Sequence, residues 1–324
     1  MSKKATKSIA EWRGIYPAIC IPFNEDGTVC EKELYPYLDW LLKYNEKGIR
    51  GLVTNGHTGE ISGLENDERA HVTKLVADHV KKSGKNVKII SGVSAEGTAD
   101  AIKQAQAAEA AGADGILLMP PHLWLRFGMK QEGAIQFVKD VAAAINIGIF
   151  IHLYPSNTKA FYPIETLLEM AKIPNVVAIK MGTRNQPLYE RDVTILREKA
   201  PDTTLVTCHD ENLLSTMVQG LDGALIGFSG CVPELITDLW KAMQEEDLKA
   251  AKKVNVNLQA ASMGIYGTGE PTGEAHARMK EFLVQRKVFS CALMRKPLMP
   301  LDAEEKERVA KALKLSGVGT VDLV

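Results

Sequence analysis

Residues 87–120 read VKIISGVSAEGTADAIKQAQAAEAAGADGILLMP, and this stretch holds the pattern that decides the fold. It begins and ends with short apolar runs, 87–93 and 114–120, which are typical of buried strands. Between them, the alanine-rich segment 98–114 favours a helix that Gly112 stops. The stretch therefore predicts two strands joined by a helix.

The same alternation continues along most of the chain. Six further apolar runs are predicted to be strands: 16–23, 49–55, 147–154, 175–180, 203–208 and 222–228. Eight strands spaced by roughly 25–35 residues, with an amphipathic segment in most gaps, predict an α/β fold of the (β/α)8 (TIM) barrel type. A doubly wound sheet also alternates, but no GxGxxG follows the first strand and eight regular units favour closure.

The strand pattern stops after about residue 233. Helical segments are predicted there at 233–262, 274–289 and 302–317. We therefore expect the barrel to occupy residues 1–240 and a C-terminal helical region to occupy residues 241–324.

The composition of the chain indicates which binding partners and which cellular compartment to expect. The chain has 39 basic and 40 acidic residues, so its balance favours neither nucleic acid nor an anionic membrane as a partner. No apolar run approaches the roughly 18 residues of a membrane span, and MSKKATKSIAEW at the start lacks the apolar core of a secretory signal. Five scattered cysteines without a CxxC pair favour reduced thiols. These features predict a cytoplasmic protein that acts on a small molecule.

Polar side chains stand at seven of the predicted strand ends. In a barrel of this type, active sites lie at the C-terminal ends of the strands and in the loops that follow them. The candidate site residues taken from those ends are Gly56, His57, Thr58, Gly59, His122, Trp124, His152, Tyr154, Asn157, Lys180, Asp210 and Ser229.

Lys180 ends the apolar run NVVAIK, residues 175–180. Apolar neighbours at a strand end disfavour the charged ammonium form. Since a neutral amine is a nucleophile toward carbonyl groups, the position suits Schiff-base chemistry. A lysine that carries its head to solvent is the alternative, but the polar groups at the other strand ends favour an active site.

The segment GHTGE, residues 56–60, follows the second predicted strand. Gly56 and Gly59 allow a tight turn and a close approach to a ligand. Backbone N–H groups there, together with the Thr58 hydroxyl, are suited to hold a carboxylate. The alternative is an ordinary glycine turn in which Glu60 caps a helix.

GHTGE (56–60), PSNT (155–158), NVVAIK (175–180) and LMRKPLMPL (293–301) resemble, in this order, the dihydrodipicolinate synthase / N-acetylneuraminate lyase family. The resemblance covers about residues 14–317 and implies a lysine-dependent, class I lyase on a (β/α)8 barrel, usually a homotetramer. It implies a pyruvate-type 2-oxo acid as substrate. Lys180 matches the Schiff-base lysine, and Thr58 matches the second residue of a carboxylate-binding Thr-Thr pair whose first residue is His57 here.

Several positions depart from the family pattern. His152 stands where the family has a proton-relaying tyrosine, and Tyr154 lies two residues on, on the same strand face. Asn157 stands in place of the arginine that binds the carboxylate of aspartate semialdehyde, and Pro121 and His122 replace paired tyrosines. The resemblance thus argues against lysine biosynthesis. PHLWLRFG (121–128) and CHDE (208–211) locally resemble hydratase-aldolases that cleave arylidene-pyruvates.

The proposed chemistry leaves two questions open. His152 is the favoured acid–base group because an imidazole titrates near neutrality, and Tyr154 is the alternative. Aldol cleavage and dehydration of a 2-keto-3-deoxy sugar acid proceed through the same imine, so the sequence does not choose between them.

Two other classes of function remain. His57, His152, His209 and Asp210 are residue types that bind zinc in barrel hydrolases, but they are scattered singly and the first strand has no HxH. The chain could also be a non-catalytic relative that binds a 2-oxo acid, although the retained Lys180 argues against this. We therefore expect an enzyme that needs neither a metal ion nor a cofactor.

Overall fold

The computed structural model describes residues 4–267 and 272–324. Its eight parallel strands form one sheet in the order β1-β8-β7-β6-β5-β4-β3-β2. The strands are β1 (Gly14–Pro17), β2 (Gly51–Thr54), β3 (Lys88–Val93), β4 (Gly115–Leu118), β5 (Gly148–His152), β6 (Val176–Met181), β7 (Thr204–Thr207) and β8 (Gly223–Ile226). Parallel bridges from Ile15 to Ile49 and from Ala18 to Val53 join β1 to the β2 side of the sheet. The predicted (β/α)8 barrel is confirmed.

Helices alternate with the strands and continue beyond β8. They are α1 (Ile9–Trp12), α2 (Glu31–Leu42), α3 (Asn66–Ser83), α4 (Thr98–Ala110), α5 (Leu123–Phe127), α6 (Gln131–Ala144), α7 (Ile164–Ala171), α8 (Gln186–Lys199), α9 (Leu213–Met217), α10 (Pro233–Gln244), α11 (Leu248–Ile265), α12 (Glu274–Gln285) and α13 (Ala303–Ser316). No helix within residues 4–267 and 272–324 has the length and apolar character needed to cross a membrane.

Both faces of each barrel strand are buried, and this explains the continuous apolar runs in the sequence. On β5, Ile149 and Ile151 face the helices, whereas Phe150 faces the barrel interior beside Tyr16. Because successive side chains of a strand point to opposite faces, the residue two positions after Phe150, His152, also points inward.

The first strand is shorter than the sequence predicts. The apolar run 16–23 was expected to be a strand, but β1 ends at Pro17. Ile19, Cys20 and Ile21 after it are fully buried, in the same apolar cluster as α2. The prediction was wrong here because an apolar run indicates only that a segment is buried. A connection that packs under a helix is also buried, although it is not hydrogen-bonded in the sheet.

The predicted helical segment 233–262 is divided into α10 and α11. Glu246, between them, has a left-handed backbone with φ of 55°. The carboxylate of Asp247 then caps α11 by accepting a hydrogen bond of 2.9 Å from the Ala250 N–H. The expected domain boundary at residue 240 lies within α10, and the division at that point stays a prediction.

Candidate active site

A cavity of about 210 Å³ opens at the C-terminal ends of the strands. Seven of the residues predicted from the sequence line it: Gly56, His57, Thr58, His152, Tyr154, Lys180 and Asp210. They come from the ends of β2, β5, β6 and β7. The structure therefore brings most of the predicted site together around Lys180.

Lys180 and His152 are direct neighbours in the barrel. They are register partners on the parallel strands β6 and β5, and their exposed fractions are 9% and 5%. Ala178, two residues before Lys180, belongs to the inner core of the barrel, whereas Ile179 packs in the outer layer. Strand alternation therefore directs the Lys180 amine into the cavity.

Three aromatic rings, those of His57, His152 and Tyr154, line the cavity together with Lys180. The His152 ring centroid lies 4.8 Å from that of Tyr154 and 5.8 Å from that of His57. The Tyr154 hydroxyl lies 3.3 Å from His57 Nε2, and the rings of His57 and His122 stack at 6.4 Å. Both candidate proton-relay residues therefore reach the cavity from the same strand.

Protonation of His152 is strongly disfavoured. Burial, followed by the positive charges of Lys180 and of the neighbouring His57 and Arg184, lowers the pKa of His152 well below its usual value. Burial likewise raises the pKa of Tyr154 far above the ordinary phenol value. At neutral pH both groups are uncharged, so the near-neutral imidazole titration expected from sequence moves to more acidic pH.

The GHTGE turn is held by its own backbone and by close contacts. The Glu60 N–H donates to the His57 carbonyl at 2.9 Å, and the Ile61 N–H donates to the Gly56 carbonyl at 3.2 Å. A Cβ atom at Gly227 would lie only 2.4 Å from the Thr58 hydroxyl oxygen. The glycine at the start of GFSG (227–230) is thus explained by the space that Thr58 requires.

Glu60 does not cap a helix, which was the alternative interpretation of the motif, since Glu65 and Glu68 form the capping box of α3. Instead its carboxylate forms a fully buried ion pair of 2.5 Å with Lys280 on α12. It also accepts a hydrogen bond of 2.7 Å from the Arg295 backbone N–H. The C-terminal region thereby holds the turn in place.

Replacing Lys280 by methionine should destabilise the fold strongly. The change leaves the Glu60 carboxylate buried without its counter-ion, which costs about 3–5 kcal/mol. Urea unfolding followed by circular dichroism would measure the loss. Lys311→Met, which removes an exposed lysine paired with Glu307, should leave the midpoint nearly unchanged. If Lys280→Met unfolds at the wild-type urea concentration, the ion pair does not stabilise the turn.

Ten further residues line the cavity and were not among the predicted site residues, among them Arg184, Cys208, Tyr266, His276 and Met279. Arg184 follows Lys180 by four positions, so a wider search of the segment after β6 would have found it. Its Nε donates to Glu211 Oε1 at 3.0 Å, and its Nη1 donates to the Gly182 carbonyl at 3.0 Å. Tyr266 and His276 come from the end of α11 and from α12, where the barrel pattern gives no signal.

Asp210 is an acid–base candidate beside Lys180. Desolvation raises the pKa of Asp210 to about 6. The hydrogen bond of 2.7 Å that Oδ1 accepts from the Phe228 N–H lowers the pKa but does not outweigh the desolvation. A carboxyl group with this pKa can both hold and release a proton near neutral pH.

Five predicted residues do not line the cavity. Trp124 packs edge-on against Phe137, with ring centroids 5.6 Å apart, and His122 is partly exposed beside Glu96. Asn157 is exposed. The Ser229 hydroxyl is buried and donates to the Ile226 carbonyl at 2.8 Å, which gives it a local structural role. Gly59 also lies outside the lining, packed under the backbone of Ile19.

Comparison with known proteins shows the family to which the chain belongs. The model of the dihydrodipicolinate synthetase family matches residues 11–316. The 4-hydroxy-tetrahydrodipicolinate synthase of Neisseria meningitidis serogroup B is 30% identical over 307 residues, which cover 94% of this chain and 99% of the relative. The chloride-inhibited dihydrodipicolinate synthase of Acinetobacter baumannii, solved with pyruvate, is 26% identical with a TM-score of 0.81 and covers 94% of this chain and 99% of its own.

A solved monomeric dihydrodipicolinate synthase variant is similar in fold. It is 23% identical with a TM-score of 0.85, and the match covers 97% of this chain and 99% of that one. The homotetramer expected for this chain therefore stays a prediction. From the family match over nearly its whole length, the chain belongs to the dihydrodipicolinate synthetase family, whose members include lyases.

Proposed function

We propose that this chain is a class I lyase that acts on a pyruvate-type 2-oxo acid through an imine on Lys180. The observation that carries the proposal is the placement of Lys180: its amine enters a cavity that is also lined by the GHTGE turn and by His152 and Tyr154. The family of the chain supports the same chemistry.

The reaction begins at the 2-oxo group. The Lys180 amine attacks the ketone carbon, and the oxygen leaves as water, which gives a protonated imine. This cation accepts an electron pair from the neighbouring carbon, which gives an enamine. In aldol cleavage the pair comes from the next carbon–carbon bond, and the far carbon leaves as an aldehyde once a base has taken the proton of its hydroxyl. In dehydration a base removes a proton from the neighbouring carbon, and the β-hydroxyl group accepts a proton and leaves as water. The substrate carboxylate lies against the Thr58 hydroxyl and the backbone N–H groups of the turn.

Proton transfer is assigned to His152, with Tyr154 as the alternative. His152 adjoins Lys180 in the sheet, and its Nδ1 is buried without a hydrogen-bond partner among the described residues. A neutral imidazole in that position can take a proton from the attacking amine and return it to the departing oxygen.

The rival functions have less support. In residues 4–267 and 272–324, no group of three His, Cys, Asp or Glu side chains is placed to hold a metal ion, so the hydrolase interpretation lacks a ligand set there. A non-catalytic binder would not need an amine at the cavity. We retain a cytoplasmic homotetramer as a proposal, and light scattering on the purified protein tests its oligomeric state.

Borohydride reduction tests the proposed function directly. With pyruvate present, reduction should add a pyruvate-derived mass to a peptide that contains Lys180, and activity should be lost. Intact-mass analysis with a panel of 2-oxo acids then ranks the ligands. If no adduct forms on Lys180 with any of them, the imine mechanism is excluded.

Aspartate semialdehyde should be a poor partner for pyruvate in this enzyme. Asn157 is exposed and uncharged, so it lacks the guanidinium that pairs bidentately with a carboxylate. Loss of such a charged hydrogen bond lowers kcat/KM by about 10–100-fold relative to the preferred aldehyde. Disappearance of the semialdehyde in a stopped assay measures the rate, and the Asn157→Arg variant should recover part of it. Efficient use of the semialdehyde by the wild-type enzyme would contradict the assignment.

A further inference from the structure

Cys208 follows β7 directly, and its side chain lines the cavity together with Lys180. Val206, two residues earlier, is the register partner of Lys180 and belongs to the inner core of the barrel. The Cys208 N–H donates to the Met181 carbonyl at 3.2 Å, so the pairing of β6 with β7 continues to this residue. Since alternate residues of a strand share a face, the Cys208 thiol points inward.

The Cys208 thiol contacts the imidazole of His152. Cys208 Sγ lies 3.9 Å from His152 Nε2, and it is the only hydrogen-bond partner of this nitrogen within residues 4–267 and 272–324. Because β6 lies between β5 and β7 in the sheet, the imidazole reaches over β6 beside Lys180. The other ring nitrogen, Nδ1, is buried and has no partner in the same part of the chain. Nδ1 is therefore the nitrogen that is free to meet the substrate.

The contact with Cys208 determines where the proton of His152 lies. His152 is neutral at pH 7, since burial and nearby positive charges hold its pKa well below the usual value, and a neutral imidazole carries one proton on one of its two nitrogens. A ring nitrogen without a proton is a good acceptor, whereas thiol sulfur is a weak one. The thiol therefore donates to Nε2, and the imidazole proton lies on Nδ1.

Imine formation consumes one proton that the two reactants do not supply. Addition of the Lys180 amine to the ketone only moves a proton from nitrogen to oxygen. Loss of that oxygen as water takes one more proton and leaves a positive charge on the imine. A neutral imidazole can give away its N–H proton only if its other nitrogen receives a proton at the same time, because the imidazolate anion is a very strong base. His152 therefore needs a proton source at Nε2.

We propose that the Cys208 thiol is this proton source. As the departing oxygen takes the Nδ1 proton of His152, Nε2 takes the thiol proton, the carbon–oxygen bond breaks and water leaves. The products are the protonated imine on Lys180 and a Cys208 thiolate, so protons and charge balance. Both transfers reverse when the imine is hydrolysed. Cys208 acts through His152, as a positioning residue for this proton, and the inference rests on the proposed function because it assumes the imine.

The surroundings of Cys208 favour a thiolate when the imine cation is present. The Arg184 guanidinium faces the thiol, and cations beside a cysteine stabilise its thiolate. Burial raises the pKa of the nearby phenols and lowers that of His57, so these groups add no negative charge near pH 7. The charged and titratable groups that face the Cys208–His152 pair are Lys180 from β6, Tyr154 from β5, His57 from the turn after β2, Arg184 from the segment after β6 and Tyr189 from α8.

Asp210 is the competing proton source in the cavity. Its Oδ1 accepts a hydrogen bond of 2.7 Å from the Phe228 N–H, and its carboxyl group also bonds to the Tyr266 hydroxyl. Neither contact leads to His152 Nε2, whose hydrogen bond is with Cys208. Asp210 therefore lines the cavity without joining the relay through His152.

Rapid mixing with pyruvate, followed by a borohydride quench, measures imine formation without knowledge of the rest of the substrate. The rate constant is obtained from the growth of the adduct on Lys180. Cys208→Ala and Cys208→Val should each lower it at pH 7 by about 10²-fold, the low end of general acid–base catalysis. Cys30→Ser, which changes a thiol at the start of α2, should leave it unchanged, and thermal unfolding checks the fold of each variant.

Two comparisons separate proton supply from general damage to the cavity. The ratio of the wild-type rate constant to that of Cys208→Ala should shrink as the pH falls, because hydronium ions and buffer acids then supply the missing proton. A packing defect would give the same ratio at every pH. In the His152→Phe background, Cys208→Ala should lower the rate constant by at most about twofold more, since the relay is already broken.

The wild-type protein provides a measurement that needs no variant of Cys208. A step that moves two protons together gives a rate constant that curves with the deuterium fraction in mixtures of H2O and D2O. A step that moves one proton gives a straight line. We expect a curve for the wild-type enzyme, and a straight line for Cys208→Ala.

The outcomes separate this inference from the proposed function. Wild-type rate constants in the Cys208 variants, a ratio that does not change with pH, or a straight line for the wild-type enzyme overturns the inference, while the adduct on Lys180 still supports the lyase. Effects of Cys208→Ala and His152→Phe that are fully additive also overturn it. Absence of any pyruvate adduct in the wild-type enzyme overturns the proposed function and the inference with it.

Discussion

Lys180→Met should lower turnover by about 10⁴–10⁶-fold, the effect seen when a covalent nucleophile is removed. Methionine fills similar space but has no amine, so the imine cannot form and the electron sink is lost. The side chain is largely buried in the barrel interior, and methionine should be accommodated there without the desolvation cost of a cation. Steady-state kinetics with the preferred 2-oxo acid gives the loss, and thermal unfolding checks that the fold is intact.

Two comparisons make the Lys180 result specific. Lys172→Met, which removes a lysine that is 70% exposed at the surface, should keep wild-type activity and the borohydride adduct. Lys180→Arg keeps the positive charge but should be as inactive as the methionine variant, because a guanidinium does not form the imine under these conditions. Substantial turnover in either Lys180 variant would show that the reaction does not pass through this residue.

His152→Phe should depress turnover by about 10²–10⁴-fold, the usual contribution of general acid–base catalysis. The phenyl ring retains the contact with Tyr154, whose ring lies 4.8 Å away, but can move no proton. Lys180 should still form the imine, at a reduced rate, so borohydride trapping should persist while multiple turnover fails. His152→Tyr should restore part of the activity, because a phenol can also relay protons.

The pH profile distinguishes His152 from its neighbours. Neutral His152 is the form that accepts a proton, and its pKa is lowered well below the usual imidazole value. The acid side of the profile should therefore fall only below the usual imidazole range and be altered in His152→Phe. Tyr154→Phe should have a small effect by comparison. If Tyr154→Phe is inactive while His152→Phe retains most of its activity, then Tyr154 is the relay.

The fold could be predicted from the sequence because both faces of every barrel strand are buried. Such strands appear as short apolar runs, and seven of the eight predicted runs contain the observed strand almost entirely. The first run failed because Ile19 and Ile21 are buried in a connection outside the ladder. Apolar character records burial and cannot tell a paired strand from a packed connection.

The part of the site formed by the strand ends could also be predicted, because the C-terminal ends of all strands meet at one end of a barrel. Lys180, His152 and Tyr154 were found by position alone, and they do line one cavity. Loop residues were less predictable. Ser229 follows β8 as a site residue would, yet its hydroxyl is used by the Ile226 carbonyl, and the direction of a loop side chain depends on what packs around it.

The sequence by itself determined the barrel, the inward-facing Lys180 and the family, since these follow from local burial patterns and short motifs. Only the tertiary structure decided that α11 and α12 bring Tyr266 and His276 into the cavity, and that Lys280 pairs with Glu60 across 220 residues of chain. It also decided the protonation of His152, which is 5% exposed. The physical reason is that hydrogen bonding, charge pairing and desolvation depend on distances between groups remote in sequence, which no local pattern records.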